Sequence, residues 1–367
     1  KQYCYNVNDN QNSDINNKLI VTYTAMHGVG GYYIDKAYES FKLPKYIKVK
    51  EQYDPDPEFK TVAFPNPEEG ADSLELAIKT ANANSSTLIL ANDPDADRLA
   101  VAEKINGEWK IYNGNEIATL FSDYAFQNYI KKNPNVDKSK LFMVASTVSS
   151  KYLGAMAKKE GFQFYDTLTG FKWIGNKAIE MVNKGYIFLF GYEVEIGFLM
   201  GNISYDKDGI RMCSIFHELA LQLYKNGQTC FDKLNELRKK YGYFEMVPSY
   251  RRMTDELLIK KMKRLRYGFD GSYPKTMGKF KIIRVRDVTT GYDSLENDKK
   301  CKLPIQPNSE MITFWFKNGA TVTLRNSGTE PKLKYYIETK DDNDPNAAKK
   351  ILDEMHAALL KEFMQMK

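Results

Sequence analysis

The chain has 367 residues, 43% of them hydrophobic, enough to bury substantial cores in roughly two to four domains. Its net charge of +6 comes from 53 basic against 47 acidic side chains, a balance that favours small anions and does not call for nucleic acid. No apolar run approaches the roughly 20 residues that span a bilayer. The four cysteines (Cys4, Cys213, Cys230, Cys301) show neither CxxC spacing nor nearby paired histidines, which argues against a zinc site or disulfide framework and for a reducing, cytoplasmic setting.

Residues 1–17 are crowded with asparagine from Asn6 to Asn17 and read as an exposed linker. Residues 18–137 read as an α/β domain. A strand over Leu19–Tyr23 leads into a glycine loop, a helix follows near Ser73–Ala83, and a buried strand covers Thr87–Ala91. The run Gly28-Val29-Gly30-Gly31 is no dinucleotide fingerprint, because Tyr33 occupies the place of the last glycine. Residues 138–247 repeat the scheme, with a strand at Leu141–Ala145, a helix through Lys158 and a buried strand at Tyr186–Phe190. Residues 248–367 differ. A helix near Asp255–Arg266, strands at Phe280–Val285, Met311–Phe316, Ala320–Leu324 and Tyr335–Glu338, and a closing helix over Ala347–Met364 predict an α+β domain on an antiparallel sheet. In the first of these helices Leu257, Leu258, Met262 and Leu265 recur at helical spacing, so its basic residues from Lys260 to Arg266 form a solvated side.

Two loops carry chemistry on their residues alone. Asp93, Asp95 and Asp97 follow a buried strand at the end where open α/β sheets place their sites. Alternation in an extended loop points all three carboxylates one way, and hard oxygen ligands suit Mg²⁺ or Ca²⁺. A calcium EF-hand is excluded, because Arg98 and Lys104 stand where its glycine and glutamate belong. Near the C-terminus, Arg325, Ser327, Gly328 and Thr329 combine a guanidinium fork, two hydroxyls and a glycine turn, a grouping suited to phosphate. No Walker loop occurs.

With Thr169-Gly170-Phe171-Lys172 and Gly191–Gly197, these loops follow the order of the α-D-phosphohexomutase superfamily, which the chain resembles from about Leu19 onward. His27-Gly28-Val29-Gly30, Pro65-Asn66-Pro67-Glu68-Glu69-Gly70, Ser146–Ser150, Asp206-Lys207-Asp208-Gly209 and Thr289–Asp293 narrow the resemblance to the type-2 phosphoglucomutase/phosphopentomutase branch. It implies two similar α/β domains followed by the α+β domain, with residues 1–17 a linker or the remnant of a preceding domain. It also implies that Asp93, Asp95 and Asp97 hold Mg²⁺, and that Arg98 and Lys207 stand near the transferring phosphate. Thr169, Gly170 and Glu193 then contact the sugar, together with Glu195, which replaces the family's serine. Arg325, Ser327, Gly328 and Thr329 hold the phosphate that is not transferred.

The reaction so implied moves phosphate between the 1 and 6 (or 1 and 5) positions of a sugar through a phosphoserine and a bisphosphate such as glucose 1,6-bisphosphate. The family's Thr-Ala-Ser-His-Asn-Pro-like loop has no match here; Thr24-Ala25-Met26-His27 carries methionine at the serine position. The chain therefore resembles domains two to four, and these residues alone are expected to be inactive. A glucose 1,6-bisphosphate synthase of the same fold and a non-catalytic sugar-phosphate-binding fragment are the alternatives. Sugar phosphates are the expected partners, without nucleic acid or membrane, for a monomer or homodimer.

Overall fold

The computed structural model describes residues 10, 18–69, 71–328 and 330–365. Of the asparagine-rich stretch only Asn10 is described, and it is buried, donating to the Phe41 carbonyl (2.9 Å) and to Glu218 Oε2 (3.1 Å). The chain divides into two units: residues up to Ser149 with Leu153–Leu237, and Ser150–Tyr152 with Arg238 onward.

The first unit contains two sheets built to one plan. Its opening elements are β1 (Val21–Thr24), α1 (Gly30–Phe41), β2 (Ile47–Lys48), α2 (Ala71–Ala83), β3 (Leu88–Ala91), β4 (Ala100–Ile105), β5 (Glu108–Tyr112) and α3 (Gly114–Lys132). The strands lie in the order β2-β1-β3-β4-β5, with β1 parallel to β2 and β3 and with β3, β4 and β5 antiparallel. Every residue of β1 and β3 is buried, as strands covered on both faces require. Helix α1 turns Ile34, Tyr38 and Phe41 inward at helical spacing and leaves Tyr32 and Tyr33 exposed.

The second sheet uses β6 (Leu141–Ser146), α4 (Tyr152–Glu160), β7 (Gln163–Thr167), α5 (Phe171–Asn183), β8 (Ile187–Glu193), β9 (Gly197–Met200), α6 (Gly209–Lys225) and α7 (Cys230–Tyr241). Its order is β7-β6-β8-β9, parallel except for the β8–β9 hairpin. The first sheet is tied to helices α6 and α7 by the buried carboxylate of Glu103 on β4. This carboxylate accepts from Tyr112 Oη (2.5 Å), Tyr224 Oη (3.0 Å) and the amides of Cys230 (2.9 Å) and Phe231 (3.0 Å), satisfying orphan donors at the start of α7.

The second unit is an antiparallel sheet with helices. After β10 (Tyr243–Arg252) and α8 (Asp255–Tyr267) come β11 (Thr276–Met277), β12 (Phe280–Asp287), β13 (Tyr292–Asp293), β14 (Met311–Phe316), β15 (Thr321–Asn326), β16 (Lys332–Asp341) and α9 (Pro345–Ala358). The order is β10-β16-β15-β14-β12-β11, with β13 paired to β12. Leu258, Met262 and Leu265 of α8 and Leu352 and Met355 of α9 share one core with Phe314, Val322, Leu333 and Ile337 of the sheet.

Three details depart from the sequence reading. Leu257 is exposed, whereas Arg266 of the basic run is buried in a salt bridge to Asp287 and Glu310. The closing helix stops at Ala358 and widens into a π-turn over Leu359–Phe363; Arg264 of α8 donates to the Glu362 and Phe363 carbonyls and Lys261 to that of Met364 just after them. Strand β10 spans residues 247–248, where the sequence reading divides two domains, and pairs along its length with β16.

Candidate functional site

The aspartate loop begins where β3 ends. Asp93 and Ala96 close a turn (Ala96 N to Asp93 O, 2.9 Å), and Ala96 has a left-handed φ of 59°. The loop is therefore not extended, contrary to the expectation from alternation, because a turn centred on Pro94 and Asp95 reverses the chain between the first and third aspartates. The three carboxylates still converge: one oxygen from each of Asp93, Asp95 and Asp97 lies within 4.8 Å of the others. Asp93 is buried, Asp95 exposed and Asp97 intermediate. Burial first, and then the Asp95 and Asp97 charges, push the Asp93 carboxyl up to about 6. Asp97 Oδ1 is a buried acceptor that receives no hydrogen bond. Three converging hard oxygens with an unfilled acceptor fit a divalent cation such as Mg²⁺.

Two cations already border this cluster. Arg98 donates its amide to Asp93 Oδ1 (2.9 Å), and its Nε lies 3.5 Å from Asp93 and 3.8 Å from Asp97. Its Nη1 lies 3.5 Å from Glu68, a residue of the quoted Pro-Asn-Pro-Glu segment to which sequence reasoning gave no role. Lys207 Nζ is 2.7 Å from Asp97 Oδ2. The loop is clasped from the other side by the His27–Gly30 segment. Val29 N donates to the Pro94 carbonyl (2.9 Å), and a Cβ at Gly28 would come within 2.3 Å of Pro94, so only glycine fits there.

The sugar-type loops join the same place. Strand β8 does not end at Phe190 but continues to Glu193, so Gly191–Gly197 is a hairpin with a tight turn at 194–196 rather than an open loop. Ile196 takes a φ of 51° to make that turn, and its carbonyl accepts from Leu99 N (3.1 Å) while Arg98 bridges Gly197. Glu193 Oε1 accepts from the amide of Gly170 (2.6 Å), whose φ of 103° suits glycine, so Thr169-Gly170 and Glu193 meet. Glu195 is half-exposed in the turn. Lys207 packs its stem on Gly197, where a Cβ would meet its Cδ at 2.5 Å. The loops that carry Asp93, Asp95, Asp97, Arg98, Glu193 and Lys207 thus contact one another within the first unit, with Thr169–Gly170 and Glu195 on the same loops.

In the second unit, Arg325 is the penultimate residue of β15, on the strand and not in the loop that follows it. It is half-buried, paired in register with Lys334, and its guanidinium donates to Tyr336 Oη (3.1 Å) at 5.7 Å from that ring's centre. The following loop is closed by Ser327 N to Lys332 O (2.9 Å). It opens on a cleft of about 660 Å³ lined by Asn308, Glu310, Asn326, Ser327, Gly328 and Pro331 among others. A Cβ at Gly328 would meet nothing, so no crowding demands glycine there. Thr329 lies outside the described residues.

Comparison with known proteins matches residues 1–106, 113–241 and 283–356 to the family descriptions "Phosphoglucomutase/phosphomannomutase, alpha/beta/alpha domain II", "alpha/beta/alpha domain III" and "C-terminal domain". The chain is 43% identical over 374 residues to Homo sapiens phosphopentomutase, covering 100% of this chain and 60% of that protein. It is 45% identical over 362 residues to Homo sapiens glucose 1,6-bisphosphate synthase, covering 96% and 58%. It thus spans about three-fifths of the length of these relatives. The fold is shared with the crystal structure of pp63/parafusin, a phosphoglucomutase from Paramecium, at a TM-score of 0.66 and 18% identity, covering 98% of this chain and 60% of that one.

Proposed function

Because this chain belongs to the phosphoglucomutase/phosphomannomutase family, we propose that it is the metal-, sugar- and phosphate-binding part of a phosphoglucomutase/phosphopentomutase. The observation that carries this reading is the convergence of the Asp93, Asp95 and Asp97 carboxylates beside Lys207 and Arg98, in one unit with the Glu193 hairpin. Mg²⁺ held by the three aspartates supplies electrostatic stabilisation of a phosphoryl group in transfer. The other roles belong to the chain itself. Lys207 and Arg98 bring positive charge to the edge of the carboxylate cluster, where a phosphoryl group would otherwise be repelled. Glu193, fixed through Gly170, accepts from vicinal sugar hydroxyls, with Thr169 and Glu195 alongside. Arg325, Ser327, Gly328 and Thr329 hold the phosphate that stays in place, so that a bisphosphate such as glucose 1,6-bisphosphate can be bound by either end.

A second reading, a glucose 1,6-bisphosphate synthase, is favoured by a comparable identity to that relative, 45% against 43%. Both readings use the same metal loop. Calorimetric titration of the chain with Mg²⁺ tests it: wild type should bind and Asp95→Ala should not. Equal affinity in the two would remove the assignment.

A further inference from the structure

We infer that Asn92 is a positioning residue that sets the shape of the aspartate loop, and that Tyr23 acts on that loop through it. The inference rests on the metal reading of Asp93, Asp95 and Asp97 proposed above. Asn92 is fully buried and immediately precedes the first aspartate. Its backbone is fixed to β1 by a bond to the Thr24 carbonyl (3.1 Å). Its side chain does a different job. Nδ2 donates to the carbonyl of Arg98 (2.6 Å), spanning the loop from its first residue to its last. Oδ1 accepts from Tyr23 Oη (2.8 Å) on β1 and from Cys213 Sγ (3.5 Å) on α6. One carboxamide thus closes the loop and anchors it to two separate elements.

Two helix starts approach this chain of hydrogen bonds closely. A Cβ at Gly209 would lie 2.5 Å from Asn92 Nδ2, 2.3 Å from the Arg98 carbonyl oxygen and 2.8 Å from that of Ala96. A Cβ at Gly30 would lie 2.4 Å from Tyr23 Oη. The first residues of α6 and α1 are therefore glycines at the two points where the Tyr23–Asn92–Arg98 chain needs room. Within the loop, Arg98 N is already bound to Asp93 Oδ1, so holding the Arg98 peptide also holds the first carboxylate. The Asn92 amide, which touches no metal ligand through its side chain, acts on the separation of the carboxylates by fixing the chain that carries them.

Residues that orient metal ligands without touching the metal change metal affinity by about 10- to 100-fold when altered. Calorimetric Mg²⁺ titration of the 367-residue chain, run beside thermal melts, reads this directly. Asn92→Ala should weaken Mg²⁺ binding by about tenfold or more, and Tyr23→Phe by a smaller factor. The double variant should bind no worse than Asn92→Ala, because Tyr23 works through the amide that variant lacks. Tyr38→Phe is the control: its hydroxyl faces His217 (3.0 Å) between α1 and α6 and does not meet Asn92. It should leave Mg²⁺ affinity unchanged even if its melting temperature falls. Wild-type affinity in a folded Tyr23→Phe, or equal weakening in Tyr38→Phe, would overturn the inference. If wild type and Asp95→Ala bind Mg²⁺ alike, the metal reading has failed instead.

Discussion

Arg325 is held in place within its own sheet. Tyr336 accepts from Nη2 and lies under the guanidinium, so the fork loses little freedom on binding an anion. Hydrogen bonds to a charged group contribute about 1.5–3 kcal/mol each, so Arg325→Ala should weaken glucose 1-phosphate binding by roughly 10- to 150-fold. Arg325→Lys should recover only part, since an ammonium cannot fork across two oxygens. The half-buried stack on Tyr336 adds a cost that an exposed arginine would not have, about 0.5–1 kcal/mol of stability, so melting temperature and affinity need separate measurement. Phosphorus NMR titration decides the matter, and wild-type binding by Arg325→Ala would move the phosphate grip elsewhere. The sequence suggests a chemistry for these residues, but their setting was not legible in it. Nothing in Leu324-Arg325-Asn326 announces that the strand continues to Asn326, because that depends on pairing with Lys334 and Leu333 of β16.

Elements built on apolar runs could be read from the sequence, since a run as short as Leu88–Ala91 or Leu141–Ala145 must be buried and is too short for a core helix, which leaves a buried strand. Strand β10 could not, because its central residue is Pro248 and its end is Tyr250-Arg251-Arg252. An edge position beside β16 tolerates both, and edge status is a property of the sheet, not of the segment. The α1–α6 contact carries a testable consequence of the same kind. His217 on α6 is buried against Tyr38 of α1, and burial pushes its imidazole down to about 3. An unfolded histidine titrates near 6.5, so below that pH the unfolded chain binds a proton that the folded chain refuses. Stability from this group is complete above about pH 6.5 and falls as pH drops toward 3, by at most about 1.4 kcal/mol per pH unit. Asp93, pushed up to about 6, works in the opposite sense, which makes a variant comparison necessary. Denaturant midpoints at pH 7.5 and 5.5 should show a smaller acid loss in His217→Gln than in wild type. Equal losses would mean that His217 is protonated in the fold.

At the scale of the whole chain, loops far apart in sequence converge within one unit. Asp97 meets Lys207, Arg98 bridges Gly197, and Gly170 meets Glu193. Family motifs made that grouping foreseeable, but the part played by Asn92 was not, since its partners Tyr23 and Cys213 lie 69 and 121 residues away. On the proposed reading, what these residues assemble is a place for a sugar phosphate and a cation, bordered by positive charge. A phosphoryl carrier is a separate requirement. At the position nearest in sequence to a carrier loop stands Met26, fully buried with a φ of 48°, and its thioether cannot form a phosphate ester. His27 beside it is also buried, with Nε2 engaged by Thr61 at 2.7 Å. Phosphoryl transfer depends on a nucleophile aligned with the phosphorus, and binding groups alone supply only orientation and charge. The 367-residue chain should therefore bind glucose 1-phosphate yet fail to convert it to the 6-phosphate, even with Mg²⁺ and glucose 1,6-bisphosphate added. A coupled assay on protein freed of host mutase tests this. Sustained turnover that Asp95→Ala abolishes would show that a carrier lies among these residues and that the reading of Met26 and His27 is mistaken.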